Sequence, residues 1–439
     1  MSDPLIEAIG KCDPEEPLSP GDPRWQNFDP VRGSNLHKRI SRRLRSAESA
    51  HKHSHIALSG HRGCGKSTEL NRIMDQARQD GYLPLYCVVN EMADPNEVGF
   101  GDVFMLMLRL LDDAFREDPH LKPLPDKTVK VVTDWFREVT HVEEKELERA
   151  ISYSGEVSLG PETPLAKILF GLNVLRKSTG KQREEIKRAV EKYPYQLRQN
   201  LNLLLDDARQ QAQKAYPRGF LFILDNLDRY PPEMIDEAVL KQGELYNGVF
   251  AHIIFVVPIS LLYKPPGETV EDRFEPETMP MITVYPRGQA EQTNVVACDA
   301  LAEAIYKRVD ANLFATPLLA REIARLSGGC PRDLLRLVKE ALLESDGQVN
   351  GYAVQRAASI VRAEMARKLN QTHYAALAKV FLDGTIDADE TGNFLLFRRA
   401  ALEYNGDRWV GVHPLLWESP EFKKALAAEK EARGLSLGA

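Results

Sequence analysis

Residues 60–67 read GHRGCGKS, which sets Gly60, Gly65, Lys66 and Ser67 at the spacing G-x-x-x-x-G-K-[ST], with a further glycine, Gly63, inside the loop. Glycines let successive backbone N–H groups turn inward around an anion, and the positive end of a following helix adds to the pull. On that reading Lys66 reaches the β- and γ-phosphates of a nucleotide, Ser67 ligates Mg²⁺ and Thr68 contacts the α-phosphate. Residues 220–225, FLFILD, form a second constellation, an apolar strand that ends in a carboxylate. A buried strand would hold Asp225 rigidly beside the phosphates, in reach of the same Mg²⁺ through Ser67 or water. The next residue, Asn226, cannot take a proton from water. Either Asp228 supplies the base, or hydrolysis is slow and the chain works as a nucleotide switch. Asp228 and Arg229 read equally as a surface ion pair.

Elements must hold these groups in place. The glycine loop follows a short buried strand expected at 55–59 and opens a helical pattern that Gly81 closes. Further apolar strands are expected at 83–89, 219–224, 253–257 and 281–284, with a helix over 102–117 capped by Asp102. Strands apolar on both faces and separated by helices predict an α/β fold with a parallel sheet. Between the second and third strands lies far more chain than a crossover needs, so 120–216 is expected to be a mainly helical insertion. Within it, 151–164 alternates like a hairpin arm. Residues 1–30, rich in Pro and acids, are expected to form an extended arm, and 35–45 a short helix with Leu36, Ile40 and Leu44 on one side. The core then runs 31–290, a helical lid 291–350, and a winged-helix-like module 351–439 with a turn at Asn405-Gly406-Asp407.

Composition bounds the partners. The 439 residues are 43% hydrophobic and carry a formal charge of −7, which disfavours a chain built throughout to coat nucleic acid. A local cationic face, Lys38, Arg39, Arg42, Arg43 and Arg45, remains available to nucleic acid or an acidic surface, or serves as a solvated helix side. Five scattered cysteines without zinc spacing indicate a reducing compartment and no structural metal. With no secretory leader and no 18-residue apolar run, the chain is expected to be cytoplasmic, without a membrane partner. Ser260 is placed to steady an attacking water or is a plain loop serine. Arg273 is either an arginine finger acting in trans or an ordinary surface residue.

Residues 224–229, LDNLDR, are similar to the hhDDLDR segment of KAP-type P-loop ATPases and, more broadly, to the STAND class with its NACHT and NB-ARC relatives. The chain departs from that pattern at Asn226, where KAP proteins have a second Asp. Residues 326–334, LSGGCPRDL, look like the GG-x-P element of STAND proteins, which implies Pro331 near the adenine. They also resemble the sensor-2 segment of origin-recognition-type AAA+ ATPases, which implies Arg332 at the γ-phosphate. By the same likeness Val31 and Arg32 lie where related ATPases contact adenine, although a simple linker reads as well there. The resemblance spans roughly residues 30–345. It implies a P-loop NTPase core using ATP and Mg²⁺, and a nucleotide-gated switch or assembly platform working as a homo-oligomer or with a partner effector. Many bacterial STAND proteins serve in antiphage or conflict signalling. Two other readings stand beside it. One is a DNA-engaging AAA+ ATPase of origin-recognition or transposition type, with Arg398, Arg399 and Arg408 near the wing. The other is a nucleotide-dependent scaffold with negligible turnover, which Asn226 motivates. An ABC reading of LSGG fails because that motif belongs upstream of the strand carboxylate, and no Asn/Thr-Lys-x-Asp guanine reader occurs.

Overall fold

A computed structural model describes residues 4–142, 144–153, 163–177, 181–263, 270–404 and 409–435. Most of the expected hairpin arm at 151–164, the turn at 405–407 and Arg408 lie outside the described residues. Five strands form one parallel sheet: β1 (His55–Ser59), β2 (Tyr82–Val88), β3 (Gly219–Asp225), β4 (His252–Val257) and β5 (Glu275–Thr278), in the order β2-β3-β4-β1-β5. Strands β1–β4 are mostly apolar because helices cover both sides, while edge strand β5 reads EPET. Alternation then divides the side chains between two cores. Ala57, Phe222 and Phe255 face one, while Leu58, Ile223 and Ile254 face the other. The register pairs Val88 with Asp225 and Ser59 with both Val257 and Thr278, so the strand ends finish level at the carboxyl edge. In open parallel sheets that edge is where ligands bind.

The first core lies under the helix Phe100–Glu117, the helix Pro194–Ala212 and the helices between them. Residues 120–216 therefore share the sheet's own core. Asp102, expected as the cap of its helix, stands in the first turn, where its carboxylate accepts the Gly99 N–H over 2.8 Å. On the opposite side lies the helix Leu36–Ser49, whose Lys38, Arg42 and Arg45 are exposed. Arg39 and Arg43 converge on the buried Glu277, and Arg43 also pairs with Glu275, which clamps the helix to edge strand β5.

Three expectations change. The fifth strand is Glu275–Thr278, not 281–284, where Met281 makes only an isolated bridge to Tyr404. The apolar run at 281–284 signals burial: Ile282 and Val284 pack beneath the lid without joining the sheet. Residues 4–11 of the expected extended arm form a helix, Pro4–Lys11, that buries Ala8 near the helix Pro331–Leu343. The helix Gly351–Ala366 also packs on Pro331–Leu343, although it follows the boundary expected at 350.

Beyond it come the helices Gln371–Asp383 and Glu390–Phe397, the antiparallel hairpin β6 (Ala401–Glu403) and β7 (Val410–Val412), and the helix Pro420–Ala432. Leu377, Leu395, Val412 and Phe422 form its small apolar centre.

Candidate functional site

The loop between β1 and the helix Lys66–Asp80 sits at the carboxyl edge of the sheet. Gly65 precedes that helix in the left-handed conformation. Gly63 has a φ of +81°, and a Cβ there would stand 2.5 Å from the Cβ of Arg332, so only glycine fits between loop and lid. Gly60 and Gly65 complete the loop as expected from its spacing.

Asp225 ends β3 one side chain away from the helix start. Its Oδ2 accepts from the Ser67 hydroxyl over 2.8 Å and from the Tyr86 hydroxyl over 2.9 Å, and its Oδ1 accepts the Asn226 N–H over 2.7 Å. Burial, reinforced by the nearby Asp228 charge, still pushes the Asp225 carboxyl above its usual range against these donors. A buried carboxylate short of positive charge, beside a hydroxyl, is an all-oxygen donor set that suits a hard divalent cation such as Mg²⁺.

Lys66 is almost fully enclosed. Its ammonium donates to the carbonyls of Gly60 over 2.7 Å and His61 over 2.9 Å, and stands 2.9 Å from Asp228 Oδ2. Burial is the largest influence and would lower the pKa of this amine, but the Asp228 charge and hydrogen bond, together with the Cys64 and Asp225 charges, turn the net direction upward. Asp228 is thus committed to Lys66, and the carbonyl of Asp228 accepts twice from the Arg62 guanidinium.

The lid reaches the loop through Arg332. Its backbone N–H donates to the Gly63 carbonyl over 3.1 Å, and its Nη2 donates to Glu15 over 2.7 Å. Pro331 heads the same helix and lines the cavity. Gly329, with a φ of +76°, lies so close to Ile282 that a Cβ would fall 1.8 Å from its carbonyl oxygen. This tight crossing fixes where the lid helix begins.

Between loop, arm and lid lies a cavity of about 250 Å³. Its wall includes Gly63, Gly65, Lys66, Ser67, Asp225 and Arg332, so one space gathers nearly all the residues singled out by spacing. Thr68 and Arg32 also line it. The Thr68 hydroxyl accepts the Leu18 N–H over 3.1 Å. Arg32 is buried and donates to the Cys64 carbonyl, which plants it on the back of the loop, and its Nε has no partner. Ser260 and Arg273 are not part of the wall. Ser260 is buried at the end of β4, and Arg273 is exposed against Gly243.

The C-terminal module also meets the loop. His61 Nε2 accepts the Glu403 N–H over 2.7 Å while Nδ1 lies 3.2 Å from the Leu396 carbonyl. The Arg62 guanidinium lies over the Phe397 ring at 4.3 Å. Arg399, which the DNA-engaging reading would set beside a phosphate backbone, is largely enclosed and sits 3.1 Å from Asp333, a wholly buried carboxylate. That ion pair ties the module to the lid helix and removes Arg399 from any exposed basic patch.

Spacing did not single out Tyr86, Arg62 or Glu15. Arg62 occupies a free position of the loop motif, Tyr86 lies inside a strand read only for its apolar character, and Glu15 belongs to a Pro- and acid-rich stretch. Each acts through tertiary contact, which periodicity does not carry.

No family model matches the chain, and no curated protein matches it. Among solved structures, a Walker-type ATPase of Pyrococcus abyssi aligns with 12% identity over 95% of this chain and 99% of that one, at a TM-score of 0.44. The Orc2 protein of Aeropyrum pernix, in ADPNP and ADP complexes, aligns with 11% identity over 97% and 98% of the two chains, at 0.41. The Aeropyrum pernix Orc1 protein in complex with DNA gives 13% identity over 94% and 95%, at 0.37. On this chain's own sheet and loop, the fold is that of a P-loop NTPase, with its phosphate loop after β1 and its carboxylate at the end of β3.

Proposed function

We propose that the chain binds ATP·Mg²⁺ between core and lid and acts as a regulatory P-loop ATPase, a nucleotide-gated switch of STAND or AAA+ type. The observation that carries this reading is the buried Lys66–Asp228 pair at the mouth of a glycine loop whose serine already bonds Asp225. Lys66 is held by carbonyls and a carboxylate that a polyphosphate would replace, so phosphate binding and release of Asp228 are one event. Ser67 and Asp225 would hold Mg²⁺, whose charge offsets that of the phosphate oxygens. Asp228, once freed, is the carboxylate nearest to serve as base, because Asn226 offers no proton acceptor. Turnover is accordingly slow, because the residue after the strand carboxylate is Asn226, which takes no proton, and Asp228 must do so from three residues on.

Contacts of His61, Arg62 and Asp333 with the C-terminal module support a switch over a metabolic enzyme. A shift of the loop on binding would be felt at Glu403, Phe397 and Arg399, which would move the module or expose the surface it covers. Homo-oligomer or effector partners would read that surface. The same contacts favour this reading over DNA engagement, since Arg399 is already spent on Asp333. Nothing in the site selects an antiphage setting.

Calorimetric titration with ATP, ADP and GTP tests the proposal. Binding of adenine nucleotides that Lys66→Ala abolishes, with phosphate release further reduced in Asp228→Ala, is the expected result. A folded chain that ignores all three nucleotides would falsify it.

A further inference from the structure

The N-terminal arm places a carboxylate where the proposed site needs an anion. Glu15 accepts from Arg332 over 2.7 Å and from Arg229 over 3.3 Å, at the same oxygen, Oε2. Among the described residues Glu15 is the carboxylate that pairs with both arginines, and the Nε of Arg332 is buried without a hydrogen-bond partner. Arg229 follows Asp228, whose carboxylate stands 2.9 Å from the Lys66 ammonium. Both arginines line the same cavity as Lys66.

The arm is laid across this cavity on fixed points. Leu18 exchanges two bonds with the helix Lys66–Asp80, donating its N–H to Thr68 and accepting from the Asn71 amide over 2.9 Å. Arg24 forks over Glu16 and Asp22, and the Arg24 carbonyl accepts from Arg308 over 2.9 Å. Into the cavity wall the arm contributes Glu15, Glu16 and Asp29 against the single cation Arg24. It is an acidic strap over a site built of Lys66, Arg32, Arg229 and Arg332.

The sensor-2 likeness already implies Arg332 at the terminal phosphate; we propose that Arg229 joins it there and that Glu15 is the resident surrogate for that phosphate, a latch the triphosphate must displace. This rests on the reading of the cavity as a nucleotide site. Two guanidinium groups bind a phosphate bidentately and more strongly than one shared carboxylate oxygen. Glu15 is half-exposed, and such pairs contribute little, so the exchange is cheap. Release of Glu15 also loosens the strap, so that the Leu18 N–H bond to Thr68 opens more often and occupancy by a triphosphate becomes visible as arm position. A diphosphate, which has no group for this subsite, leaves the latch closed.

The test is calorimetry of ATP and ADP, each with Mg²⁺, on the native chain, Glu15→Gln, Arg229→Ala and the double variant, with Lys66→Ala as the control for the site itself. Glu15→Gln is expected to tighten ATP about fivefold, the gain from removing a weak competing closed state, while ADP stays within about twofold. Arg229→Ala is expected to weaken ATP more in the Glu15→Gln background than in the native chain, because only there is its loss not offset by opening the latch. Hydrogen exchange gives a second readout: the Leu18 amide should exchange faster with ATP than with ADP. Equal ATP affinities for the native chain and Glu15→Gln, with Lys66→Ala still abolishing binding, overturn the latch and leave the nucleotide reading intact. No binding of either nucleotide by the native chain or Glu15→Gln overturns the nucleotide reading, and the latch with it.

Discussion

The floor and the roof of the cavity are built by different means. The floor is the carboxyl edge of one sheet: Ser67 and Lys66 follow β1, Asp225 ends β3, and Tyr86 lies on neighbouring β2. Their separations are set by strand register, which a buried parallel sheet holds rigidly. The roof comes from elsewhere in the chain. Glu15 is on the arm, Arg332 on the lid, and Glu403 and Arg399 in the C-terminal module. Arg332 and Glu403 reach the loop through their backbone N–H groups, on Gly63 and His61, while Glu15 and Arg399 hold the lid residues Arg332 and Asp333. A rigid floor preorganises phosphate binding, and a roof pinned by few bonds can move when the floor is filled.

The largest effect comes from breaking the floor at its buried ion pair. Replacing Lys66 by Met leaves Asp228 enclosed without a counter-charge, which should lower stability by about 3–5 kcal/mol. It should also weaken nucleotide binding by about 3 kcal/mol, or roughly 100-fold. Adding Asp228→Asn should recover most of the stability and none of the binding. Denaturant unfolding and calorimetry on the three proteins separate the two losses. A double variant no more stable than Lys66→Met would mean that the pair does not carry the cost assigned to it.

The seam between floor and roof is tested by pH. Burial, with Lys66 close by, pushes the pKa of His61 down to about 3, so the folded protein keeps this ring neutral. The unfolded chain takes up the proton near pH 6.5. Stability from this group is complete above about pH 6.5 and is lost as pH falls from there toward 3, because over that window the unfolded state binds the extra proton. At pH 5 the cost is about 2 kcal/mol. His61→Gln should therefore lose about 2 kcal/mol less than the native chain between pH 7.5 and pH 5, although it starts lower for want of a bond to Glu403. His53 and His55, pushed down by burial to about 4 each, titrate in the same direction in both proteins and cancel in that difference. Identical pH profiles for the two proteins would remove His61 from the seam.

The sequence was legible where chemistry and local structure coincide. Glycine spacing, the lysine and the serine announce the loop, and a strand with a terminal aspartate announces its partner, because both motifs are contiguous. Four of the five strands lie within a residue or two of their expected positions, since burial on both faces leaves an apolar run. The fifth was misplaced for the same reason: 281–284 is as apolar as a central strand yet is buried by the lid, whereas EPET pairs at the edge with two glutamates held by Arg39 and Arg43. Polar edge strands carry no hydrophobic signature. The roof was hardly legible. Arg399 read as a cation for a phosphate backbone, and only the fold shows Asp333 waiting for it. Glu15, 317 residues from Arg332, belongs to a stretch whose composition speaks for an extended lead-in.

The smallest effect sharpens the account of the floor. Tyr86 donates one of three hydrogen bonds to Asp225, and Phe in its place keeps the ring while removing that donor. Loss of one bond to a buried carboxylate costs about 1 kcal/mol in the absence of metal. The cost should shrink when Mg²⁺ and ATP are bound, since the cation supplies the positive charge that the carboxylate lacks. Tyr86→Phe is therefore expected to unfold slightly earlier than the native chain when free and at nearly the same denaturant concentration when loaded. The midpoint difference measured with and without ATP·Mg²⁺ reads this directly. An equal deficit in both states would mean that Tyr86 only packs against the strand, and that the cation set at Asp225 does not depend on it.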